Sequence, residues 1–141
     1  MKTLKIVPVP EKMERFFGKG QMLHPSLEMV KELVEKIPTG KITSIGVLTK
    51  KMSEMYGTDV TCPMRTGNHL KRMSKEAEAT RDGLKKDLPF WRVIRNDGMM
   101  VKLEDVPFYA SVLEDEGLAL TFKTANTIKV SATSSQWYEF L

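Results

Sequence analysis

The chain carries one cysteine, Cys62, and two histidines, His24 and His69, among 141 residues. A lone thiol excludes an internal disulfide and suits a reducing interior. These three scattered residues make a poor metal centre, so neither metal nor cofactor is expected. No apolar run approaches the roughly 20 residues that a spanning helix needs. The opening Met1-Lys2-Thr3-Leu4-Lys5-Ile6-Val7-Pro8 lacks the apolar centre of a secretory signal. A cytoplasmic protein without a membrane partner is the expectation. Repeats, low-complexity tracts and linkers are also missing, which argues for one domain, long enough to bury a core without staples.

What is present is 41% hydrophobic and 28% charged, ordinary for a globular protein. A net charge of +4 says little by itself, because many mildly basic proteins bind no polyanion. Its distribution says more. From Val60 to Lys75 the chain has Arg65, Lys71, Arg72 and Lys75 and no acid, whereas Leu103 to Glu116 holds Glu104, Asp105, Glu114, Asp115 and Glu116 and no base.

Residues 1–24 are proline-rich and lack a sustained period. They read as an arm with a short extended segment at Leu4–Val7 and a helical turn or two between Glu11 and Phe17. The first firm helix spans Ser26 to Ile37, with Leu27, Val30, Val34 and Ile37 on one face. After Lys41-Ile42-Thr43, Thr43 or Ser44 caps a second helix whose Ile45, Leu48, Met52 and Met55 share a side, and Gly57 ends it. A third helix starts near Thr61, with Pro63 in its first turn. It turns Thr66, Leu70, Met73 and Ala77 one way and Arg65, Asn68, His69 and Arg72 the other; Gly83 should end it.

The heaviest stretch is Leu88-Pro89-Phe90-Trp91-Arg92-Val93-Ile94-Arg95-Asn96-Asp97-Gly98. Pro89 stops what precedes it, Val93 and Ile94 favour a strand, and Asn-Asp-Gly favours a tight reversal. A hairpin from Trp91 to Leu103 follows, and the paired aromatics mark either a core corner or a pocket floor. Phe108, Val112 and Leu113 suggest a final helix ending at Gly117. Leu118–Lys123 and Thr127–Ala132 suggest a second hairpin, and Trp137, Tyr138 and Phe140 a tail docked on the core. The fold expected is α+β and mainly helical, a winged helix-turn-helix of three helices and a β-hairpin wing. An N-terminal arm (1–24) precedes the core (25–120), and a C-terminal hairpin and tail (121–141) follow it. That order sets the third helix in a DNA groove, although a basic helix face is as readily a solvated surface.

At this point the sequence resembles a family. Ile37-Pro38-Thr39-Gly40-Lys41-Ile42-Thr43-Ser44-Ile45-Gly46-Val47-Leu48 is similar to the "IPxGKVxSYGxLA" segment of the methylguanine-DNA methyltransferase DNA-binding domain. Met64-Arg65-Thr66-Gly67-Asn68-His69-Leu70 resembles its "ARAVGxAL" recognition helix, Leu88 to Gly98 its "IPCHRVVxxDG" active-site run, and Leu113-Glu114-Asp115-Glu116-Gly117-Leu118 its "LLExEGV". The segments keep their order from about Ser26 to Leu118. The family flips an alkylated guanine out of duplex DNA and moves the alkyl group to a thiolate.

The resemblance implies a DNA partner but not that chemistry. Phe90 and Trp91 stand where the family has Cys-His, and neither is a nucleophile or a base. Glu116 matches the family's glutamate and, without the histidine, reads as a helix-terminal carboxylate or surface charge. Cys62 reads as a small, partly buried residue rather than a displaced nucleophile. The family's intercalating arginine falls on Met64, with Arg65 one residue later, and its tyrosine on Ile45. The alkyltransferase-like branch, which carries "PWHRV" and binds alkylated guanine without repairing it, resembles "PFWRV" here.

The resemblance therefore implies a non-enzymatic protein that contacts DNA through Met64, Arg65, Asn68, His69, Lys71, Arg72 and Lys75. Its lesion pocket would hold Ile45, Phe90, Trp91 and Arg92, with the two rings either stacking on a flipped base or filling the former pocket. The alternative is a protein-interaction module that keeps the fold and has lost DNA and lesion binding.

Overall fold

The computed structural model describes residues 4–79, 88–124 and 126–140. Ser26 opens the first long helix, α2 (Leu27–Val34), by accepting the Met29 amide on its side chain, and α2 buries Leu27, Met29, Val30, Leu33 and Val34. Ser44 does the same for α3 (Ile45–Tyr56), accepting from the Val47 amide, and Gly57, with φ of 68°, turns the chain out of the helix. In α4 (Pro63–Ala79) the buried side is Thr66, Leu70 and Met73, as the spacing predicts. The expected stop at Gly83 lies outside the described residues. A fourth long helix, α5 (Val106–Asp115), is capped by Asp105 accepting from the Phe108 amide, and it buries Val106, Tyr109, Ala110 and Leu113.

Short strands tie these helices together. Residues 1–24 are more than a surface arm: β1 (Lys5–Pro8) and β2 (Gln21–His24) form an antiparallel pair, with a small helix α1 (Glu14–Phe17) in the connection. β2 then pairs in parallel with β4 (Val60–Thr61), the segment leading into α4. Leu23 of β2 is wholly buried in the main core, while Met22, Val9 and Cys62 make a second, smaller cluster.

The hairpin expected from Trp91 to Leu103 does not form as a ladder. Phe90–Arg92 wind into a 3-10 turn, and β5 (Val93–Ile94) pairs in parallel with β3 (Thr43–Ser44) instead. An Ile94–Met100 bridge and the Arg95 amide donating to the Met99 carbonyl at 2.8 Å join the two sides of the turn, and Met99 bridges Lys129 of the next hairpin. The buried aromatic turn uses residues that a hairpin would have placed in a strand.

The second hairpin forms as expected, from β6 (Ala119–Thr124) and β7 (Thr127–Ser131), with Ile128 and Val130 buried. The tail docks by backbone: the Ile42 amide donates to the Gln136 carbonyl and the Tyr138 amide to the Ile42 carbonyl. Tyr138 and Phe140 pack on the core, whereas Trp137 remains 39% exposed. The result is a mixed α+β fold with five helices and three small sheets among the described residues, none of those helices long and apolar enough to cross a membrane.

If β2 is integral to the core, Leu23→Ala should destabilise the protein by about 2–5 kcal/mol, the usual cost of emptying a packed aliphatic site. Urea unfolding measures this, and a change near zero would return the first 24 residues to the status of an appended arm.

Candidate nucleic-acid interface

Helix α4 presents two opposite faces because its buried residues recur at helical steps, leaving Arg65, Asn68, Lys71, Arg72 and Lys75 exposed on the other side. Met64 stands at the head of the helix with 68% of its surface free. The charges are lightly held. Arg72 Nε lies 3.4 Å from Glu76 Oε1, and Lys31 Nζ lies 3.8 Å from the same carboxylate, in pairs exposed to water. Exposed pairs of this kind are worth about 0–1 kcal/mol, so a stronger anion readily redirects the guanidinium.

His69 does not join that face freely. It is half-buried, and its Nε2 donates to the Pro25 carbonyl at 2.7 Å, which ties α4 to the start of α2. Ile45 is also half-buried, packed on the core at the head of α3. Gly67 faces it across α3 and α4, and a Cβ at position 67 would meet the Ile45 Cδ1 in ordinary contact at 4.0 Å. Next to it, the Gly46 amide donates to Asn96 Oδ1 at 2.7 Å, an approach that a Cβ at position 46 would block, and this locks the Asn-Asp-Gly turn to α3.

Phe90 and Trp91 lie inside, 2% and 3% exposed. Phe90 meets Trp91 edge-on at 5.2 Å between centroids and Tyr109 of α5 edge-on at 4.9 Å, while Trp91 stacks on Tyr109 at 5.7 Å and 14°. Tyr109 is the residue the sequence reading missed. Val106, Tyr109, Ala110 and Leu113 follow the i, i+3, i+4, i+7 pattern of a buried helix face, and that was the available signal.

The largest correction concerns Glu116, expected as a helix-terminal carboxylate or a surface charge: it does end α5, but it is not on the surface. Its side chain is only 8% exposed, as is that of Arg92. Glu116 Oε1 accepts from Arg92 Nε at 2.7 Å and from the Gly40 amide at 3.2 Å, and Oε2 accepts from the Trp91 indole N–H at 2.8 Å. Arg92 bonds through its other two nitrogens as well, donating through Nη1 to the Ile37 carbonyl at 2.7 Å and through Nη2 to Thr39 Oγ1 at 3.0 Å, with Trp91 beneath its guanidinium. The network closes one wall of an open cavity of about 400 Å³ that Phe108, Val112 and Asp115 also line. Of the four residues expected in a lesion pocket, Trp91 and Arg92 border this cavity, and Phe90 and Ile45 do not. Among the described residues no cluster of His, Cys, Asp or Glu could hold a metal ion.

Because both charges are buried and hydrogen-bonded, removing one partner strands the other. Glu116→Ala should cost about 3–5 kcal/mol, whereas replacing the pair together by Arg92→Met and Glu116→Leu should cost much less. Urea unfolding followed by tryptophan emission measures both; equal losses in the two variants would refute a mutually compensated pair.

No family model and no curated protein matches this chain. Two solved structures are similar to it. One is S. pombe Atl1, an alkyltransferase-like protein, in complex with damaged DNA containing O6-carboxymethylguanine. It aligns with a TM-score of 0.54 and 18% identity over 80% of this chain and 94% of that one. The other is S. pombe ATL in complex with DNA, with a TM-score of 0.53, 18% identity and the same coverage of each chain. At that identity the likeness is one of fold, and the fold resembles that of an alkyltransferase-like protein.

Proposed function

We propose that this chain is a non-enzymatic protein that binds duplex DNA through the outer face of α4. In this reading α2, α3 and α4 are the three helices of a winged helix-turn-helix, and the Asn96–Gly98 turn with the β6–β7 hairpin behind it serves as the wing. The observation that carries it is the row of exposed Arg65, Asn68, Lys71, Arg72 and Lys75, with no acid before Glu76, on a helix whose other side is locked in the core. Cationic side chains set along one helix take phosphates, and an amide at its head takes a base edge or a sugar. Met64, exposed at the N-terminal turn, suits an apolar wedge. His69, bonded to Pro25, acts by fixing the helix rather than by touching DNA. The fold likeness to a protein crystallised with damaged DNA supports the same partner.

Alkyl transfer is not part of the proposal. Phe90 offers no nucleophile, and an indole N–H donates a hydrogen bond but accepts no proton, so Trp91 holds Glu116 without relaying a proton to it. Cys62 is packed in the other cluster with Val9 and Met22. Recognition of O-alkylated guanine, the finer role that the resemblance suggests, needs room for the extruded base. Stacking on a base is worth about 1–3 kcal/mol, and each aromatic pair already made among Phe90, Trp91 and Tyr109 is worth about 0.5–1.5 kcal/mol beyond its burial. Opening the corner thus gives up as much as the base returns. We read the rings as filling the former pocket, and binding as general to duplex DNA.

The second reading, a protein-interaction module, is favoured by Met64 and Ile45 standing where the family has its arginine and tyrosine. Fluorescence anisotropy with labelled duplexes separates the two. DNA binding predicts an affinity that falls by orders of magnitude between about 50 and 200 mM salt, with Arg65→Ala and Arg72→Ala each shallowing the salt slope by about one. Duplexes with and without methylguanine should bind alike, and a clear preference for the damaged one would restore the lesion role. No binding to either at low salt would leave the interaction module.

A further inference from the structure

The N-terminal hairpin brings positive charge to the head of α4. Its position there is fixed by backbone bonds: β2 runs parallel to β4, the Cys62 amide donates to the Leu23 carbonyl at 2.9 Å, and His69 holds the Pro25 carbonyl immediately after β2. Between hairpin and helix opens a cavity of about 430 Å³ whose lining includes Lys12, His24, Cys62, Met64, Arg65 and Asn68. Lys5 stands opposite His24 in the β1–β2 register. No acid lines this cavity, and among the described residues neither Arg65 nor Lys12 has a carboxylate partner.

We propose that the β1–β2 hairpin and the first turn of α4 form a phosphate-binding cleft, built from Lys12, His24 and Arg65, that takes a backbone phosphodiester of the duplex lying on α4. The inference rests on the DNA reading above and extends it to residues outside the resemblance. Three features favour an anion over any other occupant. The lining supplies cations and the Asn68 amide as donors but no counter-charge. Arg65 belongs both to this cleft and to the exposed face of α4, so one strand can follow the helix and reach the hairpin without leaving the protein. His24 is itself short of a partner, its buried Nδ1 having no acceptor or donor among the described residues.

The imidazole adds a pH signature. Burial first, and then the charges of Arg65 and Lys5, hold His24 below the usual imidazole range. The groups around it are Lys5 on β1, Lys12 in the connection, Arg65 on α4 and the Cys62 thiol. Asp59, just before β4, accepts the Gln21 amide at the far end of β2. A phosphate in the cleft reverses this balance and favours the imidazolium. Binding therefore takes up a proton, and affinity rises as pH falls.

The test uses the full chain and an undamaged labelled duplex, with affinity measured against salt and against pH. Lys12→Ala should weaken binding several-fold and lower the salt slope by about one, the signature of a lost phosphate contact. The exposed Lys36, outside the cleft, gives a control of equal charge change in Lys36→Ala. His24→Gln should flatten the rise in affinity that the wild-type chain shows as pH falls. If Arg72→Ala weakens binding while Lys12→Ala matches the Lys36 control and His24→Gln keeps the pH dependence, the cleft is overturned and the α4 interface stands. If the wild-type chain binds no duplex, both fall. NMR of the His24 ring distinguishes the source of the phosphate: a shift with inorganic phosphate but none with duplex at matched ionic strength would also overturn the assignment.

Discussion

The carboxylate of Glu116 is the point through which the ends of the fold meet. It closes α5, receives the indole of Trp91 and the guanidinium of Arg92 from the 3-10 turn, and receives the Gly40 amide from the loop after α2. Arg92 carries the connection on to Ile37 and Thr39. Elements that touch only at their termini are thereby fixed in mutual orientation. Burying such a pair is stabilising only when the remaining donors and acceptors are also met, since desolvating two charges costs several kcal/mol per ion, and here each guanidinium nitrogen has an acceptor at hydrogen-bond distance. The pair specifies geometry more than it adds stability.

That geometry suits aromatics at the two positions where the family that the sequence resembles carries a thiol and an imidazole. An imidazole bonded to a carboxylate can exchange its role between donor and acceptor; an indole can only donate. Trp91 makes the bond to Glu116 and carries no proton along it. Its large ring then needs a surface, which Tyr109 provides by stacking, and Phe90 fills the angle between them. The corner holds together as a unit, so a single change back to cysteine would leave a nucleophile without a base, facing a ring.

Helical spacing, caps and glycine stops made α2, α3 and the described part of α4 legible, because amphipathic period and terminal chemistry are local properties. Ser26, Ser44 and Gly57 act as their residue types suggest. Non-local pairing was not legible. Val93-Ile94 before Asn-Asp-Gly fits a hairpin on local grounds, yet the two residues pair with Thr43-Ser44, about 50 positions earlier. The first 24 residues lack a period because β1 is largely exposed and β2 offers only Met22 and Leu23 to the interior. Glu116 reads as surface by type, since carboxylates are seldom buried unless paired, and its partners come from three separate segments. The exposed cations of α4 were readable from charge alone; the hydrogen bond that draws His69 off that face was not.

The same non-local bonds decide what α4 can do. A helix that presses on DNA must resist being pushed along its own axis and rolled about it. Leu70 and Met73 resist rolling, as large side chains seated in a close-packed core. Sliding is resisted at the head, where β4 leads in from a sheet and His69 grips the carbonyl that precedes α2. The cations therefore sit on a rigid support, and their long side chains supply the adaptability that an irregular phosphate backbone requires. The N-terminal hairpin contributes to both properties: through β2 it braces the lead-in to α4, and through Lys5 and Lys12 it adds positive charge beside the first turn of the helix. A segment that began as a structural strut is, by position, also an extension of the charged face.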